Sequence, residues 1–301
     1  MNFRPSNPER VLHDTWVFVK DGTIHLFYLA PQVDNNTHRL IGHATSRDWL
    51  HWHELPFIEL TGPPGSWDSG RIGTGHVFQY DDGRYYMAYT GRVDPQEKIG
   101  LAVSDDLFTW DKPFNAPVWP QQLQSPYEHS DPSTGDTPAW RDPFVVRHPD
   151  GGWYAYLCAR SDHGAPSGRG CVARGSIASL DQWRTLEPIA ATGEYPVMEV
   201  PEVFKFMGSW WLTFNTGSNW GRRIDTAFRR RASGTFYLCS SQLDGPWNGP
   251  EDNLLIGSGE GRRDAVVARS VEYENERLVY HHYTGDITAG SPPGAGFAES
   301  A

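Results

Sequence analysis

Apolar and polar positions alternate along this chain in short runs, with almost no stretch of helical period. Five times, a polar or acidic residue leads into a β-branched and aromatic run, a turn, and a second aromatic-rich run. The first copy runs from His13 to Lys20, turns at Asp21-Gly22 and continues from Ile24 to Tyr28. The second runs from Thr74 to Tyr80, turns at Asp82-Gly83 and continues from Tyr85 to Tyr89. Arg141 to Val146, Asp150-Gly151 and Trp153 to Tyr156 form the third; Glu199 to Phe204, Gly208 and Trp210 to Phe214 form the fourth. A weaker fifth joins Asp264 to Val267 with Leu278 to Tyr283. Asp-Gly between two such runs is a hairpin signal, so each copy reads as two antiparallel strands.

A second pattern follows four of these hairpins: Ser46 and Asp48 with Trp52, Ser104 and Asp106 with Trp110, Ser179 and Asp181 with Trp183, Ser241 and Asp244 with Trp247. Strands such as Leu40 to Ala44 and Ile99 to Val103 precede it, so each repeat has material for three or four strands. Five copies in 301 residues leave about 60 each, enough for a four-stranded blade with loops. The expected fold is all-β: a five-bladed β-propeller with the active site at one end of the central axis. A β-sandwich also has many short strands, but it does not predict five copies of one hairpin. No linker divides the chain, so 1–301 reads as a single catalytic propeller domain. Residues before Val11 are expected to supply the outer strand of the last blade, and about 290–301, rich in Gly, Pro and Ala, reads as a flexible tail.

Composition narrows the function. The 31 Gly and 23 Pro leave little room for long helices, and 13 Trp add to the aromatic content of the strands. The longest apolar run, Trp153 to Ala159, is far short of the roughly 20 residues of a membrane helix. The first residues have no apolar signal-peptide core, so a cytoplasmic location is expected. Cys158, Cys171 and Cys239 are odd in number and widely spaced, against a disulfide scaffold or zinc ribbon. A net charge of −11 would repel a phosphate backbone, which excludes nucleic acid as a partner.

Aligning the repeats on Val17, Val77, Val145, Val203 and Val267 brings the acids into register. Asp14, Thr74, Asp142 and Asp264 fall three residues before the valine, and Glu199 falls four before it. In a propeller these positions converge on the axis, so Asp14, Asp142 and Glu199 would share a pocket. Each alone could cap a turn or pair with an arginine such as Arg141, and Asp264, beside Arg262 and Arg263, reads as a structural ion pair. Three in register point to chemistry. Like charges held close push their pKa values apart, letting one acid donate a proton while another stays ionised.

At these residues the sequence resembles the five-bladed β-propeller glycosidases of glycoside hydrolase families 32, 43 and 68. His13-Asp14 before an apolar strand resembles the first-blade motif of family 43. Trp140-Arg141-Asp142-Pro143-Phe144-Val145 resembles the Arg-Asp-Pro motif of families 32 and 68, and Glu199-Val200-Pro201 stands where family 32 has Glu-Cys-Pro and family 43 Glu-Gly-Pro. The chain departs from both first-acid motifs: family 32 has Asn-Asp-Pro-Asn-Gly there, and family 43 usually has Pro where Thr15 stands. The resemblance implies that Asp14 acts as nucleophile or general base and Glu199 as proton donor. It implies that Asp142 holds sugar hydroxyls and stabilises an oxocarbenium-like transition state. Glu202 is a rival acid on the same strand.

The function so implied is a glycosidase cleaving a furanoside, fructosyl or arabinosyl. Transglycosylase, phosphorylase and non-catalytic sugar-binding propeller are the alternatives; a phosphorylase would need a basic cluster, for which Arg222-Arg223 is the candidate. The partner is a carbohydrate or a glycosylated small molecule. Candidate substrate-binding residues are His13, Trp16, Trp67, His76, Arg141, Glu202, Asn215 and Arg222. Tryptophans stack on sugar faces, although most in a propeller fill blade interfaces. No metal ligand set or cofactor is expected. A central divalent cation, held by one of His281 and His282, is the one candidate, because family 43 endo-acting members can hold calcium and adjacent strand residues face opposite ways.

Overall fold

The structure, a computed structural model, describes residues 2–32, 38–122, 125–129, 139–217, 233–257, 265–273, 276–284 and 295–297. A short β1 (Asn2–Phe3) precedes the repeats. The first repeat folds as β2 (His13–Lys20), β3 (Thr23–Leu29), β4 (Leu40–Ser46) and β5 (His53–Glu59); the second as β6 (Arg71–Gln79), β7 (Tyr85–Val93) and β8 (Gln96–Ser104). The third gives β9 (Trp140–Arg147), β10 (Trp153–Arg160), β11 (Gly170–Ser179) and β12 (Gln182–Ala190). The fourth gives β13 (Glu199–Phe206), β14 (Ser209–Thr216), β15 (Gly234–Ser240) and β16 (Leu254–Gly257), and the last β17 (Ala265–Tyr273), β18 (Glu276–Thr284) and β19 (Ala295–Phe297).

Each repeat forms an antiparallel sheet in chain order, and the first strands touch in the sequence β2, β6, β9, β13, β17 and back to β2. The fold is an all-β propeller. Among the described residues the one helix is a 3₁₀ turn at Pro166–Gly168, and no helix is long and apolar enough to cross a membrane.

Among the described residues four sheets have four strands and that of the second repeat has three, so four complete four-stranded blades stand where five blades were expected. The reason lies in the segment after β8. Pro113, Pro117 and Pro120 cannot donate ladder hydrogen bonds, so 111–119 makes only isolated bridges, Val103 to Asp111 and Ile99 to Trp119. The last sheet takes its edge strand from the other end of the chain: β1 pairs with β19, as expected of the residues before Val11. The segment about 290–301, read as a flexible tail, thus contains a paired strand at Ala295–Phe297.

Local chemistry explains the turns. At Asp21-Gly22 the φ values are 49° and 72°, and at Met207-Gly208 they are 47° and 81°. Two successive positive φ angles make the mirror-image turn that matches strand twist. The Ser-x-Asp pattern proves to be a turn staple. Ser46 Oγ donates to Asp48 Oδ1, which also accepts from the Leu50 and His51 amides, and Trp52 Nε1 caps the Trp49 carbonyl. Ser104, Asp106 and Trp110 repeat this arrangement. The core lies between sheets: Trp16, Phe27, Val77 and Met87 pack together at one interface, Trp119, Trp140 and Ala155 at the next. Removing such side chains from water is the main favourable contribution to folding.

Candidate active site

Three inner strands break register where the acids stand. The irregularity in β2 lies between His13 and Thr15, leaving Asp14 as the extra residue. In β9, Asp142 and Pro143 oppose one residue of β10; in β13, Val200 and Pro201 oppose one residue of β14. These are β-bulges, which re-aim side chains that a regular pleat would send into the neighbouring sheet. Asp142 has φ 61° and Val200 φ 49°, and such backbone costs of order 1–3 kcal/mol for a non-glycine residue. At Val200 the strain is offset, because its N–H donates to Asp142 Oδ2 at 3.1 Å.

The result is a compact acid cluster around one guanidinium. Arg141 Nη2 donates to Glu199 Oε1 at 2.7 Å, Nη1 to Glu97 Oε2 at 3.2 Å, and Nε lies 3.8 Å from Asp142 Oδ2. Thr74, at the acid position of the second repeat, donates its hydroxyl to Asp14 Oδ2 at 2.9 Å. The Asp142 amide donates to Thr90 Oγ1, whose hydroxyl donates to the Thr74 carbonyl. Side-chain exposure separates the acids: 17% for Asp14 and 18% for Glu199, but 6% for Asp142.

Electrostatics follow from this packing. Burial pushes the Asp142 carboxyl up to about 7, the charges of Glu199 and Asp14 add to the rise, and Arg141 opposes it. Burial pulls the His13 imidazole down, but Asp14, 3.5 Å away, together with Glu199 and Asp142, leaves it raised overall. His38, whose ring centre lies 5.0 Å from that of His13, falls to about 3 through burial and the charge of His13. The Cys158 thiol, opposite Arg141 in the β9–β10 register, is pushed far up by burial and stays protonated.

Asp14, Asp142, Glu199, Arg141 and His13 are therefore brought together, and Asn215 lies buried opposite Glu199 in the β13–β14 register. Other candidates lie elsewhere. Trp16 is 1% exposed, stacked on Phe27 and lying against Gly75, so it fills a sheet interface. Trp67 stacks on Tyr89 above Gly91 and Gly100 and donates to the Asn115 carbonyl. His76 packs on Phe144 and accepts from the Val145 amide; burial and Arg269 bring it down to about 3, a neutral ring. Glu202 accepts from Arg269 Nε and the Ser270 amide, both at 2.8 Å, an arrangement that ties β13 to β17. His76, Glu202 and Arg269 line an axial cavity of about 520 Å³ formed by the residues that follow the acids on the inner strands. Arg222, Arg223, Asp264 and the side chains of His281 and His282 lie outside the described residues. Among those described, no three His, Cys, Asp or Glu side chains are grouped to hold a metal ion.

Sequence reasoning missed Glu97, Thr90 and His38. Thr90 and Glu97 enter from β7 and β8, away from the inner-strand register that marked the acids.

Residues 14–244 match the model of the glycosyl hydrolases family 32 N-terminal domain. The chain is 28% identical to the raffinose invertase of Escherichia coli over 58% of its own length and 34% of that protein's. It is 33% identical to a probable sucrose-6-phosphate hydrolase of Psychromonas ingrahamii over 49% and 27% of the two lengths. It thus matches only about a third of the length of these relatives. Its backbone is similar to that of Bacillus subtilis levansucrase, with a TM-score of 0.78 at 14% identity, covering 99% of this chain and 85% of that one. For the inulosucrase from Halalkalicoccus jeotgali bound to kestose the TM-score is 0.74 at 18% identity, covering 97% and 81%. At such identities the likeness speaks for the propeller alone. The family match, in contrast, opens on Asp14 itself and extends past Glu199 through well over half of the sequence, and on that ground the chain belongs to glycosyl hydrolases family 32.

Proposed function

We propose that this protein is a glycosidase that cleaves a fructofuranoside. The observation that carries the reading is the division of labour among three acids on three inner strands. Asp14 and Glu199 keep solvent-accessible carboxyls, whereas Asp142 is buried within electrostatic reach of both. In this reading Asp14, steadied by Thr74, attacks the anomeric carbon while Glu199 gives its proton to the departing glycosidic oxygen. A fructosyl ester forms on Asp14, the aglycone leaves as an alcohol, and water activated by Glu199 then releases the sugar and restores both carboxyls. Asp142, held by the Val200 amide, and His13 engage hydroxyls of the fructosyl ring. We read the fold as a single five-bladed domain, with the three-stranded sheet as a blade whose outer place is filled by 111–119. Transfer to a second sugar is the alternative that the fold favours, since levansucrase and inulosucrase share it.

The test is sugar release from sucrose, raffinose and kestose by wild type and Asp14→Asn. Wild type should liberate fructose, and the variant should lose at least about a thousandfold in kcat with its melting temperature kept. New oligosaccharides in place of free fructose would identify a transferase. Equal turnover by both proteins would remove Asp14 from the chemistry and the reading with it.

A further inference from the structure

Glu97 lies in β8, outside the acid register, yet it hydrogen-bonds the Arg141 guanidinium alongside Glu199. Its side chain is only 3% exposed. One oxygen, Oε2, accepts both from Arg141 Nη1 at 3.2 Å and from the Trp140 amide at 3.0 Å; the other lies 3.5 Å from Arg92 Nη1. A carboxylate so deeply placed is expensive to keep ionised unless its partners are fixed, and here they are fixed from two strands of two sheets. The opposite edge of the same guanidinium holds Glu199 at 2.7 Å. Arg141 is therefore shared between one acid in the open site and one behind it.

Resting on the glycosidase reading of Asp14 and Glu199, we propose that Glu97 is a positioning residue: it orients Arg141 toward Glu199 and withholds part of the arginine's positive charge from it. An unshared guanidinium would hold Glu199 as its carboxylate and so oppose its role as proton donor. The other charged and titratable groups facing this unit are Asp142, Asp14 and His13 around the acids, the protonated Cys158 behind Arg141, and Arg92, itself paired with Asp94. None of these takes the place of Glu97 on Nη1, where the described hydrogen bond is to Glu97.

Glu97→Gln isolates the charge. Both hydrogen bonds to Oε2 can be kept by the amide oxygen, and Arg141 retains Glu199 and Asp142 as counter-charges. In the variant the alkaline limb of kcat/KM on sucrose, which reports deprotonation of the acid in the free enzyme, should move to lower pH by about half a unit or more. Glu97→Asp, which keeps the charge, should leave that limb in place even if its rate falls. A second readout needs no turnover: in protein labelled with ¹³C at the glutamate carboxyl, the Glu199 resonance, assigned by its loss in Glu199→Gln, should titrate at lower pH in Glu97→Gln. If wild type releases no fructose while this resonance still moves, the fructosidase reading fails and the role of Glu97 in setting Glu199 stands. An unmoved resonance overturns the proposal, as does a uniform loss of rate with the limb unshifted, since that is what a merely structural carboxylate would give.

Discussion

Asp14 depends on a residue that is not an acid. Thr74 occupies the position at which other repeats carry carboxylates, and its hydroxyl reaches across from β6 to Asp14 Oδ2. A hydrogen bond to a charged acceptor contributes more than a neutral one, and here it also fixes which way the carboxylate faces. Thr74→Val keeps the shape and removes the donor. Steady-state kinetics on sucrose should show kcat/KM lower by about tenfold, with Thr74→Ser restoring most of it. A Val variant as active as wild type would mean that Asp14 is held by other contacts. At this scale the sequence was readable where function sits on the inner strands. Asp14 and Asp142 stand three residues before the aligned valine, Glu199 and Arg141 four before it, and the structure brings all four together. Glu97 and Thr90 were not readable, because they come from the second and third strands of a neighbouring sheet rather than from its inner strand, and no linear pattern reports which side chain crosses that interface. Trp16 and Trp67 misled for a related reason: an indole that could stack on a sugar is chemically identical to one that fills a sheet interface.

Strands and turns follow their local chemistry closely. The Asp-Gly hairpins were legible because Gly22, Gly83 and Gly151 all take a positive φ that few other residues tolerate, and the Ser-x-Asp pattern recurs because it closes one turn geometry. What a repeat pattern does not convey is where a strand will fail to pair: the second repeat stops at three strands in front of a proline-rich segment. The bulges were also hidden, since Val200 at φ 49° is a residue that local preference would never place there. Close cross-strand packing offers a test at this scale. Gly42 lies opposite Tyr28 in the β3–β4 register, and a Cβ at Gly42 would come 2.0 Å from the tyrosine ring carbon Cζ. The ring is buried and cannot swing away, so Gly42→Ala should destabilise by about 1–3 kcal/mol. Thermal unfolding should then begin several degrees earlier; an unchanged melting temperature would show that the ring has room to retreat.

Across the whole molecule, buried neutral histidines tie stability to pH. His25 and His43 share a 3.1 Å hydrogen bond between Nδ1 and Nε2 and stack at 5.3 Å, and burial lowers them to about 4 and about 3. His38 and His76 are lowered to about 3 by burial in the same way. In the unfolded chain each would take up a proton near pH 6.5. Because the folded values are depressed, their stabilising contribution is complete above about 6.5 and is progressively lost as pH falls toward 4 and 3. Two effects run the other way: Asp142, raised to about 7, favours the folded state as it protonates, and the net charge of −11 relaxes toward the pI near 5.5. His13 is raised, so its contribution is already complete below 6.5 and does not change in this window. Four histidines against one carboxyl and a diffuse charge term give a melting temperature that falls between pH 6.5 and 4. His43→Gln separates the local cause from the general one. It should destabilise at pH 7 by disturbing the stacked pair, while flattening the acid-side slope of melting temperature against pH, since one proton-excluding ring is gone. Thermal scans of both proteins at half-unit steps from pH 7.5 to 4 give the comparison. Parallel slopes would remove the His25–His43 pair from the cause of acid sensitivity and leave it with the remaining histidines and carboxylates.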